Sequence, residues 1–394
     1  MHSYLAGCGV DGVKVDGQAA ATMMGQPSNE GSANATRRLV KAMEASVTRH
    51  FGSHCINCMC HPIECLYSYS ETAVARASDD FWPRHTGSWT THIANVTYNS
   101  LFLGEIVQPD WDMFWSKHSV AGLHAAARAV GGTAVYVSDR PWEHDPRVLK
   151  RLVLPDGSVL RCRQHARPTA DCLFQDVCRD RDSACKIWNV NACSGVLAAF
   201  NIQGAGWDRA RRMTVVHDAS PQRVLVHLRP SDVDDLPADP SLTWAMRLCV
   251  WRPDGPLKEV KRCFVLRHDG IWVQLASRES VTATVSRVHT AEATSGNNVQ
   301  WAAFGLEELI NSGGAVLAEQ AVMAGGEGSG RTVGAQVRVR GQGTLLMFAS
   351  TEPATVRVGD EVAEGWSYDA EDMYLRVPYQ VPKGAEDVEV AITF

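Results

Sequence analysis

A lysine and an aspartate at the end of a short apolar run are the first candidates for chemistry in this chain. Val13 and Val15 predict a buried strand that Gly17 ends, and Lys14 and Asp16 alternate with the two valines. Because side chains alternate along a strand, Lys14 and Asp16 point to the same face, away from the valines. Such a pair, at the carboxyl end of a parallel strand, lies where barrel enzymes place catalytic groups. The alternative is a solvated ion pair.

Three more strand ends that carry acids follow the first. Predicted helices separate the strands, and this alternation indicates βα units on a parallel sheet. The predicted helices are 19–24, 35–51, 90–103 and 122–130, the predicted strands are 55–60, 73–77, 102–107 and 133–137, and the acids that follow the last three strands are Asp79, Asp80, Asp110, Asp112 and Asp139.

The pattern changes near residue 151, where helical periodicity fades and short alternating runs begin. Clusters of Gly, Pro and Asp separate these runs, which is typical of an antiparallel sandwich. We therefore predict an α/β domain over residues 1–150 and an antiparallel β-sandwich over residues 151–394. The predicted strands are 159–163, 195–202, 223–228, 244–251, 271–275, 337–340 and 388–393.

The composition excludes several classes of function. The 394 residues carry a net charge of −6 without a basic cluster, which argues against a nucleic-acid partner. No segment approaches the ~18 consecutive apolar residues of a membrane span, and the amino terminus lacks the basic and apolar parts of a signal peptide. Twelve cysteines without such a signal favour free thiols in a reducing compartment, so we expect a cytoplasmic protein.

Two short motifs suggest other chemistry and are set aside. The glycine-rich segment 325–332 resembles a phosphate-binding loop, but an alternating strand follows it where such a loop must open a helix. A cysteine cluster has one pair at zinc spacing but no second pair at the expected distance, and its first half is predicted to be a buried strand. We therefore expect no metal and no cofactor, with zinc as the weaker alternative. The cluster comprises Cys55, Cys58, Cys60, His61 and Cys65, with His50 and His54 just upstream.

Five long motifs together resemble the raffinose synthase, or seed imbibition protein, branch of glycoside hydrolase family 36. This branch contains galactinol–sucrose galactosyltransferases and alkaline α-galactosidases. Weaker similarity at 171–174, 186–189, 201–207, 311–315 and 340–343 extends the match over nearly the whole chain. The five motifs are Gly-Val-Asp-Gly-Val-Lys-Val-Asp (9–16), Arg-Ala-Ser-Asp-Asp-Phe-Trp-Pro-Arg (76–84), Gln-Pro-Asp-Trp-Asp-Met-Phe (108–114), Ala-Val-Tyr-Val-Ser-Asp (134–139) and Leu-Val-Leu-Pro-Asp-Gly-Ser-Val-Leu-Arg (152–161).

The resemblance implies a TIM-type (β/α) barrel followed by a β domain, and a retaining mechanism with two carboxyl groups. By motif position Asp16 is the nucleophile. The related α-galactosidases carry an Arg four residues before the acid/base, which assigns Arg76 and Asp80 here, with Asp79 as the neighbouring alternative. Lys14 would hold sugar hydroxyls and favour the ionised nucleophile.

Further residues are implied to bind substrate. Asp112 and Met113 match the Asp-x-Asp-Met motif, in which the second acid binds sugar, and Trp111 could offer an apolar face to a sugar ring. For Asp110 and Asp139 the alternative is that strand-end acids cap the following helix.

In relatives the Lys-Val-Asp strand is the fourth of eight, whereas here it begins about ten residues from Met1. The resemblance therefore implies strands 4 to 8 of a barrel, in a truncated product, an incomplete gene model or half of a split enzyme, with the missing barrel half as a possible partner. The leading function is retaining α-galactosyl transfer in raffinose-family oligosaccharide metabolism, with galactinol or a raffinose-type sugar as donor and sucrose or water as acceptor. The short spacing between Asp80 and Thr90 resembles the seed-imbibition group, so hydrolysis of raffinose-type sugars is nearly as strong an alternative. A non-catalytic or carbohydrate-binding remnant is the third possibility.

Overall fold

A computed structural model describes residues 1–24, 31–251, 258–266, 269–292, 298–324 and 332–394. Its amino-terminal part alternates short parallel strands with helices, as the sequence predicts. Four strands form one parallel sheet in the order β1-β2-β3-β4. The elements are α1 (His2–Gly7), β1 (Val13–Val15), α2 (Ala21–Met24), α3 (Ser32–Phe51), β2 (Cys55–Asn57), α4 (Ile63–Leu66), β3 (Val74–Arg76), α5 (Ser88–Leu103), β4 (Gln108–Asp110), α6 (Ala121–Gly131) and α7 (Pro146–Leu149).

The second part of the chain is built of antiparallel strands. A six-stranded sheet has the order β12-β11-β14-β7-β6-β5, with β5 (Arg167–Pro168), β6 (Cys185–Val190), β7 (Ser194–Phe200), β11 (Trp244–Trp251), β12 (Lys258–Leu266) and β14 (Ser280–Arg287). Two two-stranded antiparallel sheets accompany it, namely β8 (Ala205–Asp208) with β9 (Met213–Val216), and β10 (Val224–Leu228) with β13 (Ile271–Leu275).

Two five-stranded antiparallel sheets complete the chain, in the orders β15-β16-β19-β23-β22 and β17-β18-β24-β20-β21. Inward-facing residues of both sheets form one hydrophobic core, with Trp301 and Leu345 on one side and Val337 and Val390 on the other. The strands are β15 (His289–Glu292), β16 (Asn298–Leu306), β17 (Val316–Ala324), β18 (Thr332–Val339), β19 (Gln342–Ala349), β20 (Thr355–Val358), β21 (Glu361–Val362), β22 (Ser367–Asp369), β23 (Tyr374–Gln380) and β24 (Val388–Thr393).

Two helices of the parallel part, α5 and α6, pack on the six-stranded sheet. Along β7, Ala198 and Phe200 face α5 and α6, while Leu197 and Ala199 face β10 and β13 in a separate core. This alternation is the period of two expected for a strand buried on both faces. The first core also contains Leu152 and later residues, so it continues across the predicted domain boundary at residue 150.

Several predicted elements differ from the observed ones. The strand predicted at 55–60 ends at Asn57, because the chain turns at Met59, which has a positive φ of 46°. The strand predicted at 102–107 is wrong, since α5 runs to Leu103 and the strand is Gln108–Asp110. The predicted strands at 133–137 and 159–163 are reduced to isolated bridges, of Val137 with Phe114 and of Val159 with Val153. Residues 325–331 of the glycine-rich motif lie outside the described residues, and the strand predicted after it is β18.

No helix within the described ranges is both long enough and apolar enough to cross a bilayer.

Candidate active site

The predicted catalytic groups lie at the carboxyl ends of neighbouring parallel strands. Asp16 directly follows β1, Asp80 follows β3 by four residues, and Asp112 follows β4 by two. The register pairs Arg76 with Asp110, the last residues of β3 and β4. Because all four strands run in the same direction, these residues meet at one edge of the sheet. The structure therefore brings the acids of separate sequence motifs together.

An ion pair between Lys14 and Asp112 connects the first strand of the sheet to the last. Lys14 Nζ lies 2.5 Å from Asp112 Oδ1, and the two side chains are 20% and 3% exposed. Phe81 N–H donates to the other oxygen of Asp112 at 3.0 Å. Burial alone would raise the pKa of Asp112, but the hydrogen bonds from Lys14 and Phe81 lower it overall. Asp112 is thus a buried carboxylate with a fixed direction.

Tyr136 extends this network to Asp110. Lys14 Nζ donates to Tyr136 Oη at 3.3 Å, and Tyr136 O–H donates to Asp110 Oδ2 at 2.6 Å. Asp110 is fully buried, and burial raises its pKa. The same Oδ2 of Asp110 also accepts from the N–H of Asp112 at 3.1 Å. Asp110 therefore helps to hold the backbone of the loop that carries Asp112. Sequence reasoning missed Tyr136, although its place in the 134–139 motif was the available signal.

Asp16 is the open carboxylate of the site. It is exposed, and Gly17 N–H donates to its Oδ1 at 2.8 Å. A hydrogen bond from the buried Cys58 thiol, followed by the bond from Gly17, lowers the pKa of Asp16, and the charges of Arg76 and Lys14 act in the same direction. An ionised, accessible carboxylate is what a nucleophile requires. Cys58 was grouped with the cysteine cluster in sequence, so its contact with Asp16 was missed.

Arg76 is buried and forms an ion pair with Asp80, which is about half exposed. The guanidinium also acts electrostatically on Asp16 and Asp112, so it stands among all three carboxylates. Asp79 is exposed, and its Oδ1 accepts from the N–H of Asp80 at 2.8 Å. The structure thus pairs Asp80, and not Asp79, with the arginine that the family motif places before the acid/base.

Trp111 does not face the site. It is 1% exposed and belongs to the core between the parallel sheet and the helices, so its predicted role as a sugar platform is wrong. A Cβ on Gly131 would lie only 2.6 Å from Trp111 Nε1, which shows how tightly the ring is enclosed. Met113, the next predicted contact, is partly exposed.

Asp139 has a local structural partner. Its carboxylate accepts from Ser116 N–H at 2.7 Å and from Ser116 O–H at 2.6 Å. His144 Nδ1 lies 3.1 Å from the second oxygen. These contacts join the two loops that follow β4 and the bridge at Val137. Asp139 does not cap the following helix, because the N-cap of α7 is Asp145, so the capping alternative is wrong for Asp139.

The cysteine cluster does not assemble into a metal site. Cys55 contacts Asn57 Oδ1 at 3.8 Å, whereas Cys65 contacts Gln18 O at 3.6 Å. His61 Nε2 donates to Arg76 O at 2.5 Å, so this histidine supports the strand of the candidate acid/base. Within the described ranges, no three His, Cys, Asp or Glu side chains come together as a metal would require, and the described cysteines are free thiols.

Motifs of the second half of the chain form buried polar contacts away from this edge. Lys186 is 5% exposed, and its Nζ lies 2.6 Å from Asp171 and 2.8 Å from Asp232. Asn311 donates to Leu160 O at 2.7 Å and bonds to Asn191, which ties the two five-stranded sheets to the six-stranded sheet. These motifs therefore stabilise the fold of the antiparallel part.

The chain matches a protein family model described as raffinose synthase or seed imbibition protein Sip1 over residues 1–378. The match covers nearly the whole chain. The chain belongs to this family.

Named relatives come from plants. The chain is 41% identical over 386 residues to a probable galactinol–sucrose galactosyltransferase 1 of Arabidopsis thaliana, with 97% of this chain and 49% of the relative covered. It is 34% identical to a galactinol–sucrose galactosyltransferase of rice, Oryza sativa subsp. japonica (96% and 48% covered), and 30% identical to a stachyose synthase of pea, Pisum sativum (99% and 45% covered). The chain spans about half the length of these curated relatives.

Among solved structures, a glucosidase from Croceicoccus marinus matches with 10% identity over 71% of this chain and 69% of that chain. The TM-score of 0.29 does not establish a shared fold.

Proposed function

We propose that this chain carries the two catalytic carboxyl groups and part of the sugar subsite for retaining α-galactosyl transfer in raffinose-family oligosaccharide metabolism. The donor is galactinol and the acceptor is sucrose, as the names of the relatives suggest. The observation that carries the proposal is the Lys14–Asp112 ion pair, which links β1 to the loop after β4 and sets these groups beside Asp16 and Arg76.

In the proposed reaction, an Asp16 oxygen attacks the anomeric carbon and the glycosidic C–O bond breaks. Asp80 in its protonated form gives its proton to the departing oxygen, so the leaving group departs neutral and the Asp80 carboxylate that remains forms the ion pair with Arg76. In the second half, Asp80 takes the proton of the acceptor hydroxyl, whose oxygen attacks the anomeric carbon and releases Asp16. Arg76 holds Asp80 beside the reacting bond, and Asp112 and Lys14 hold sugar hydroxyls.

The four-stranded parallel sheet, together with the segment that forms the parallel bridge at Val137, is proposed to be strands 4 to 8 of a TIM-type (β/α) barrel over residues 1–150, and the antiparallel part over 151–394 a β-sandwich domain. Among the described strands, β1 is paired on one side only, with β2. A barrel has no such edge because its sheet closes on itself. Further strands, from the same protein or from another chain, are therefore proposed to pair with β1 and to complete the galactose subsite. The proposed location is the cytoplasm.

Hydrolysis is the second candidate, because the acid/base position is open to water. Asp80 is 51% exposed, and α5 begins at Ser88, so only a short segment stands over the acceptor side. If no sugar excludes water from Asp80, water accepts the galactosyl group and raffinose-type sugars are hydrolysed.

The test uses a complemented enzyme, which we define as this chain co-expressed with the part of the Arabidopsis relative outside the matched region. Galactinol with sucrose should give raffinose, while raffinose alone should release galactose if the hydrolase alternative holds. Asp16→Asn is the matched inactive control, because it keeps the size of the side chain and removes its charge. Absence of both products from a folded complemented enzyme contradicts the proposal and favours a non-catalytic role.

A further inference from the structure

Arg128, in α6, is a buried cation behind the candidate site. It is 1% exposed, and within the described part of the chain no carboxylate stands within ion-pair distance of it. Its guanidinium instead donates to backbone carbonyls: Nε to Asp112 O at 2.9 Å, and Nη2 to Trp111 O at 2.6 Å, with a longer contact to Met113 O at 3.4 Å. A buried charge is costly unless such bonds satisfy it, so this arrangement binds the three carbonyls strongly.

Two buried histidines complete the arrangement. Arg128 Nη1 donates to His124 Nδ1 at 3.0 Å and to His124 O at 3.0 Å. Since an arginine nitrogen can only donate, His124 Nδ1 must accept, and the ring proton is on Nε2, which donates to Trp89 O at 3.0 Å. His92 Nε2 donates to Trp111 O at 2.9 Å. Burial lowers the pKa of His92 to about 4 and that of His124 as well, so both rings are neutral.

The three carbonyls converge because Asp112 has a left-handed backbone, with φ of 61°. This conformation is unfavourable for a residue with a side chain, so it persists only where surrounding contacts hold it. Here the same turn directs the Asp112 carboxylate to Phe81 N–H and to Lys14 Nζ. The backbone that Arg128 holds is thus the backbone that aims Asp112.

We infer that Arg128 is a positioning residue which, through the carbonyls of residues 111–113 and with His124 behind it, holds Asp112 in line with Lys14. Its catalytic meaning rests on the proposed function, whereas its geometric role does not. An apolar residue could fill the buried position of Arg128. Only the planar guanidinium, with its several N–H donors, can bind three successive carbonyls.

The experiment measures how fast acetic anhydride acylates Lys14 in the chain of residues 1–394, by mass spectrometry of its peptides. Lys186, which is 5% exposed and paired with two aspartates, reports global unfolding in the same sample. In Arg128→Lys the charge remains but the fork is lost, so Lys14 should react about tenfold faster, as expected when a charge-assisted hydrogen bond no longer protects it. The rate at Lys186 should not change.

A second variant, which leaves Arg128 in place, tests the inference if Arg128→Lys does not fold. His124→Leu removes the acceptor behind Arg128, together with the bond from His124 Nε2 to Trp89 O, and should raise the Lys14 rate roughly twofold to threefold. The matched variant His124→Gln keeps an acceptor and should stay near wild type. Parallel acceleration of Lys14 and Lys186, or an unchanged Lys14 rate in the folded variants, overturns the inference.

Enzyme kinetics test whether the position of Asp112 affects binding of the galactosyl donor. In the complemented enzyme, Asp112→Asn and Arg128→Lys should each raise KM for the galactosyl donor, and the double variant should resemble Asp112→Asn alone, because both act through the same carboxylate. Multiplying effects would contradict action through Asp112. If the wild-type complemented enzyme turns over no galactoside, the proposed function fails, and the acylation rates still decide the role of Arg128.

Discussion

Replacing Lys14 by methionine should destabilise the protein mainly at neutral pH. The change keeps the length and apolar stem of the side chain but leaves the Asp112 carboxylate, 3% exposed, with Phe81 N–H as its remaining donor among the described contacts. Breaking a buried ion pair costs about 3–5 kcal/mol. Because Lys14 is one-fifth exposed, water can partly replace it, and we expect roughly 2–3 kcal/mol here.

The pH dependence identifies the cause. The pKa of Asp112 is lowered in the folded state from its usual 3.8, so the pair contributes stability above that value and loses it as the pH falls through the lower, folded pKa. Urea titration should therefore show a large difference between wild type and Lys14→Met at pH 7 and a smaller one near pH 3, below the usual pKa of an aspartate. Lys41→Met, on the exposed side of α3, is the control and should change stability by less than about 0.5 kcal/mol. An equal loss at both pH values would refute this explanation.

Three further outcomes are expected. Asp80→Ala should slow natural galactosides by about a hundredfold or more but aryl galactosides with acidic phenols far less, because a good leaving group needs no proton; the same selectivity in Asp79→Ala instead would exchange the two roles. The chain without further barrel strands should not turn over galactosides, because the edge at β1 is then open and the sugar subsite is incomplete, and activity from a monodisperse sample without a partner would contradict this. Glu44→Gln should cost roughly 2 kcal/mol in urea titration, because the buried carboxylate accepts N–H bonds from residues 70, 71 and 72 before β3, and an effect below about 0.5 kcal/mol would show that these bonds are dispensable.

The sequence predicted the order of strands and helices well where local pattern and tertiary pairing agree. The strands Trp244–Trp251, Ile271–Leu275 and Val388–Thr393 have the predicted bounds, because alternating side chains and turn residues mark both ends. The three-residue strands of the parallel sheet are too short for such a signal. Their ends depend on pairing with neighbours, as at Asn57 and Gln108.

The candidate site, like the fold, was predictable from the sequence only in part. Strand alternation places Lys14 and Asp16 on one face, and the family motifs single out Asp80 and Asp112. The Lys14–Asp112 contact joins residues 98 positions apart, which no local pattern encodes. Trp111 was misjudged because an aromatic residue beside two acids has the same appearance in sequence whether it binds a sugar or packs in a core. The burial of the ring in the core, in contact with Gly131, decides between the two roles.

The assignment of Asp16 as nucleophile is tested most directly by removing it and supplying a substitute. In the complemented enzyme, Asp16→Ala should lower turnover of an activated aryl α-galactoside by more than about a thousandfold. Azide occupies the vacated space and attacks the anomeric carbon from the face that Asp16 would use, so it should restore turnover and give β-galactosyl azide. Turnover near wild type in Asp16→Ala, or rescue that yields the α-azide, would contradict the account.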